Sequence, residues 1–165
     1  MAALVLIAAL HPACGGGGGG AGGGGVALGG GPVPPVTGSG AVPAGLPAHL
    51  AVGLGNFDLT WPNSSGVPWD YRYQYLSGGV NTPGGWTTWN SPPGEFALLY
   101  MNASFSKNMI PVFDYYQLRG SSPNPGSENP DPKLQNGSTM NAYFADFKLL
   151  MQKCKQYNKT VIVHV

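Results

Sequence analysis

Apolar positions along the chain repeat in two rhythms, and each rhythm predicts an element. Met140, Tyr143, Phe144, Phe147, Leu150, Met151 and Cys154 recur at spacings of three and four, which is one stripe of a helix. Ser138 or Thr139 stands where a cap is needed, and Lys153 and Lys155 suit the negative end of the helix dipole. Asn158 can take the left-handed position that ends such a helix. Earlier, GEFALLYMNASFSK spaces Phe96, Leu99, Tyr100 and Ala103 in the same way, with Asn108 as a stop. Short continuous apolar runs predict buried strands: residues 50–55, then Ile110, Val112 and Phe113, then Val161, Ile162 and Val163 in the stretch KTVIVHV. The polar and aromatic segment from 57 to about 93 reads as a long loop, and RGSSPNPGSENPDPKLQNG, dense in breakers, as a second.

Strand, helix, strand, helix, strand implies a parallel sheet. The fold class expected is α/β: a partial (β/α)8 barrel, its first three strands and two helices, following an N-terminal tether. A closed barrel takes about 250 residues, so the chain reads as the opening part of a longer domain. An open doubly wound sheet is the other arrangement. It is disfavoured because the loops after the strands are long and those before them short, and because GLGNF does not run directly into a helix as nucleotide-binding turns do.

Composition narrows how much of the 165 residues folds. Glycine counts 27 and proline 16, many of the glycines falling before Leu46, and the tract GGGGGGAGGGG has no side chains to bury against the entropy of ordering it. Residues 15–46 therefore read as a flexible linker, stiffened near PVPP. No strand precedes the tract and no GK[ST] closes it, so it is not a phosphate loop. The formal net charge of +1 offers no basic field for nucleic acid. Two cysteines, Cys14 and Cys154, cannot form a disulfide framework, and Cys154 on the helix stripe reads as a small buried hydrophobe.

The first 14 residues, MAALVLIAALHPAC, are too short to span a bilayer and fit the apolar core and cleavage site of a secretory signal. Ala13 before Cys14 resembles bacterial lipoprotein signals, in which the cysteine carries the lipid; His11 and the lack of a Lys or Arg ahead of the apolar run depart from that pattern. The resemblance implies lipidation at Cys14 and a membrane attachment there. An ordinary secretory signal, or a start upstream of Met1, stays open. Residues 47–165 then form the folded part.

In a parallel α/β fold, ligands sit at the C-terminal ends of strands. That rule picks out Asn56 and Asp58 after the first strand, Asp114, Tyr115 and Gln117 after the second, and His164 at the third. The first loop adds Trp69, Trp86 and Trp89 among Gly, Asn and Thr. Aromatic faces stack on the C–H faces of sugar rings while amides and carboxylates take the hydroxyls, so these residues are expected to bind substrate. Asp58 and Asp114 are the acids at strand exits. No catalytic residue is assigned. No cofactor is expected, and no metal-ligand spacing, HExxH, CxxC or GxSxG is present.

Signal, tether, aromatic loops and a strand ending in His together resemble secreted TIM-barrel glycoside hydrolases, broadly cellulase-like. The resemblance implies a surface or secreted carbohydrate-active protein, extracellular or lipid-anchored at the cell surface, whose partner is an oligo- or polysaccharide. It also implies that the main catalytic carboxylates lie on later strands, leaving this part inactive alone. The alternative is a non-enzymatic surface lipoprotein that binds glycan or a protein partner.

Overall fold

In the computed structural model the described residues are 4–7, 42–55 and 57–165, with only the backbone of the first segment. The molecule is mixed α/β. Five parallel strands, β1 (Leu4–Ile7), β2 (Gly53–Leu54), β3 (Tyr71–Leu76), β4 (Ile110–Tyr115) and β5 (Val161–His164), lie in the order β1-β5-β4-β3-β2. The connections carry α1 (Thr60–Ser64), α2 (Glu95–Phe105), α3 (Asp131–Leu134) and α4 (Gly137–Tyr157), with single 3₁₀ turns at Trp86–Thr88 and Leu118–Gly120.

α2, β4, α4 and β5 fall where the apolar rhythm predicts them. Asn158 ends α4 in the left-handed conformation, with φ of 54°. The cap at its other end differs from expectation: the Asn136 side chain, rather than Ser138 or Thr139, accepts the Thr139 N–H. Asn136 lies one residue ahead of the first helical position, where its backbone is extended and its amide oxygen reaches back over the first turn.

Three expectations are corrected. The run at 50–55 is not a buried strand: only Gly53 and Leu54 pair with β3, and Leu50 is 94 % exposed. Just ahead of this pairing, the Val52 carbonyl accepts the N–H groups of both Asp70 and Tyr71, in the turn that enters β3. The segment from 57 to 93 is not one loop but contains α1, β3 and a 3₁₀ turn. The sheet has five strands rather than three, because Leu4–Ile7 also pairs with β5, in register from Leu4 opposite Val161 to Ile7 opposite His164.

The core lies on one face of this sheet. Leu76, Phe113, Tyr115, Val161 and Val163 project toward α2 and α4, which contribute Phe96, Ala97, Tyr100, Met101, Leu150, Cys154 and Tyr157. Each large apolar side chain so buried stabilises the fold by about 1.5–3 kcal/mol. Burial pushes the Cys154 thiol up to about 12, as for a cysteine that serves as packing. Lys153 bonds Glu95 at 3.1 Å and ties α4 to the start of α2.

Candidate functional site

Successive strand residues point to opposite faces. With Leu76, Phe113 and Val163 on the helix face, the other face carries Tyr73, Val112 and Ile162 in one cross-strand row and Tyr75, Asp114 and His164 in the next. The second row stands at the C-terminal ends of three adjacent parallel strands. It opens into a cleft of about 900 Å³, whose lining includes Tyr75, Ser77, Asp114, Tyr116, Arg119 and His164.

Asp114 is the centre of the row. Its Oδ2 accepts a hydrogen bond from the Tyr73 hydroxyl at 3.1 Å, and its Oδ1 lies 3.5 Å from His164 Nδ1. Both side chains of that pair are largely buried, at 17 % exposed for Asp114 and 26 % for His164. Burial, the Tyr75 hydroxyl and the Asp114 charge all raise the Tyr73 pKa, so the phenol stays protonated and donates. Tyr75 meets Tyr73 edge-on at 5.1 Å and Tyr116 at 5.8 Å, and both Tyr75 and Tyr116 remain nearly half exposed. An oriented imidazole, a carboxylate and two open aromatic faces can hold a polyhydroxylated ring by stacking and by hydrogen bonds.

The rim of the cleft is built from the β3 and β4 exit loops, which are bonded to one another. Gln117 is fully buried, and its Oε1 accepts the Gly79 N–H at 2.7 Å. Val80 N donates to Ser121 Oγ at 3.1 Å and Ser122 N to Asn81 Oδ1 at 2.9 Å. Gly79 has φ of +89°, and a Cβ there would overlap the Gly120 carbonyl, so only glycine lets the two loops approach this closely. Below the rim, Asp146 of α4 accepts hydrogen bonds from Trp86 Nε1 and Tyr115 OH, each at 2.7 Å.

Of the residues expected from sequence, Asp114, Tyr115 and His164 line the cleft. Gln117 supports it from within, and Trp86 is fully buried in the core below it. Trp89 lies edge-on to Phe96 at 4.8 Å and donates to Gly84 O, while Trp69 donates to Ser65 Oγ and packs near Trp61 at 6.0 Å; neither lines the cleft. Asp58, two residues ahead of Thr60, accepts from Thr60 Oγ1 and Thr60 N, bonds that hold its carboxyl below the usual range. It lines a separate groove of about 440 Å³ beside Phe57, Arg72, Leu99 and Tyr100, on the helix side of the sheet. Asn56 and Cys14 lie outside the described residues.

Tyr75 and Arg119 line the cleft and Tyr73 bonds Asp114 beside it, yet all three fall in segments expected to be loops. Tyr71, Tyr73 and Tyr75 alternate at the period of a strand, which is the signal that marks one face of β3. Among the described residues no three His, Cys, Asp or Glu side chains group as a metal site, and no helix is long and apolar enough to cross a membrane. No family model matches the chain, and no curated protein or solved structure does.

Proposed function

We propose that this chain is a carbohydrate-binding part of a (β/α)8-type barrel, and that the cleft at Tyr75, Asp114 and His164 holds the sugar. The observation that carries the reading is the one-sidedness of the sheet. Doubly wound sheets carry helices on both faces, whereas a barrel keeps its helices outside and turns the other strand face inward. Here α2 and α4 share one face, and β2, β3, β4 and β5 are neighbours in chain order, as consecutive barrel strands are. The row of polar and aromatic groups on the other face then occupies the C-terminal mouth, where barrel enzymes bind their substrates.

The described residues favour binding over cleavage. Asp114 is the single acidic side chain among the described residues that line the cleft. Glycosidic hydrolysis commonly uses two carboxyl groups about 5 to 9.5 Å apart. A second carboxylate would come from strands that complete the barrel, the next of which would have to take the β5 edge that Leu4–Ile7 holds here. Without one, the alternative of a non-enzymatic glycan-binding surface protein holds for the same cleft. Attachment through a lipid on Cys14 is part of either version. Palmitate labelling that persists in Cys14→Ala, or is absent from the wild type, would refute it.

The binding reading is tested by a glycan array probed with the full chain and with Tyr75→Ala and Tyr116→Ala. Both rings are nearly half exposed, so the variants fold, and each is expected to lose binding by about tenfold, the worth of a stacked aromatic contact. Unaltered binding by both variants would remove the cleft from consideration.

A further inference from the structure

We propose that the carbohydrate taken by this cleft carries a carboxylate, as a uronic acid does, and that Arg119 grips it. The inference rests on the carbohydrate reading above and specifies its substrate class. The carboxylate of the cleft is already engaged, with Tyr73 OH on one oxygen of Asp114 and His164 beside the other. The cation of the cleft is held more loosely. Arg119 Nε bonds Glu128 Oε1 at 2.6 Å, but the two side chains are 48 % and 75 % exposed. Ion pairs this open to water contribute little to stability, so an incoming carboxylate can take the place of Glu128 at small cost. The guanidinium fork matches a carboxylate in a bidentate way that no hydroxyl reproduces.

The backbone that presents Arg119 is fixed. Its carbonyl accepts from Gly126 N at 2.7 Å and from Lys133 Nζ at 3.0 Å, and Lys133 Nζ also donates to Ser127 O at 2.9 Å. Lys133 is almost fully buried and makes no ion pair among the described residues, so a second positive charge stands behind the rim. Glu128 and Asp131 are the acids on the same segment, and Glu128 is the one a ligand would displace. Tyr75 and Tyr116 complete the site by offering the sugar ring its stacking surface.

Calorimetric titration of the full chain tests this with oligogalacturonate, oligomannuronate and glucuronate-bearing xylo-oligosaccharides, each compared with its methyl ester and with neutral oligosaccharides of equal length. At least one acid form is expected to bind about tenfold more tightly than its ester, with the preference shrinking as salt rises. Arg119→Gln should abolish the preference by weakening the acid form more than the ester, and Glu128→Gln should tighten the acid form. Equal binding of acid and ester, or a preference that survives Arg119→Gln, overturns the inference. Binding of neutral sugars alone overturns it and leaves the carbohydrate reading standing, whereas no binding by any member of the panel overturns both.

Discussion

Removing the Asp146 carboxylate should disconnect the floor of the cleft from α4. The Trp86 indole N–H has that carboxylate as its hydrogen-bond acceptor, and the indole is fully buried. Tyr115 is better protected, because its hydroxyl also lies 3.2 Å from the Tyr143 carbonyl and can turn to it. Asp146→Ala therefore loses a charge-assisted bond and strands one buried donor, for a cost of about 3 kcal/mol. Asp146→Asn keeps a carbonyl oxygen for Trp86 and relieves the burial of a charge, so it should change stability by about 1 kcal/mol or less. Burial raises the Asp146 pKa, outweighing the two hydrogen bonds that lower it. The folded state thus holds the proton more tightly than the unfolded chain. This contribution to stability is complete below the unfolded value near 3.8 and is lost as pH rises through the raised folded value. Asp58 and Asp70 are shifted the other way, so their contributions are lost as pH falls below that value, in a separate window. Urea denaturation from pH 3 to 8, followed by near-ultraviolet circular dichroism, measures both effects. A cost below about 1 kcal/mol for Asp146→Ala, or an unchanged pH slope above 4 for Asp146→Asn, would contradict this role for the carboxylate.

Three further outcomes are expected. Gly79→Ala should destabilise by about 3 kcal/mol, from the positive φ and the overlap with Gly120, and a melting temperature within a degree of wild type would contradict the close approach of the two loops. Asn136→Ala should cost about 1 kcal/mol through loss of the α4 cap, measured by thermal unfolding, while Ser138→Ala should cost little. Mass spectrometry of the mature protein from its natural host separates two readings of the N terminus: a chain that begins at Cys14 has lost Leu4–Ile7 and cannot pair that segment with β5, whereas a retained N terminus leaves β1 in the sheet.

α4 and β5 are legible in the sequence because their burial follows a simple period, whereas α2 is placed by Phe96 and Tyr100 although Leu99 of the same expected stripe is exposed. α4 carries a stripe at three and four, and β5 is a run of β-branched residues with Val161 and Val163 on the helix face and Ile162 on the other. β3 was hidden because its helix-facing positions include Arg72 and Gln74, which look like solvent-facing residues. Arg72 is nevertheless buried, stacked 4.0 Å from the Tyr100 ring and bonded to the Phe57 carbonyl, a tertiary solution that a local pattern does not announce. Residues 50–55 failed in the opposite sense, since an apolar run at a sheet edge needs a covering element and Leu50 has none. For the proposed site, the rule that ligands gather at C-terminal strand ends points to Asp114, Tyr115 and His164, which line the cleft. It could not separate open aromatics from packed ones: Trp86 and Tyr75 sit in similar sequence surroundings, yet one is fully buried under Asp146 and the other lies open in the cleft.

We place carbohydrate binding in the strand-end cleft and not in the groove on the helix side. Titrating the ¹⁵N-labelled full chain with the oligosaccharide panel and mapping amide shifts tests it directly. Changes clustered at Tyr75 to Gly79, Asp114 to Gly120 and His164 are expected. Shifts centred instead on Phe57, Leu99 and Ala103, or none at millimolar ligand, would contradict it.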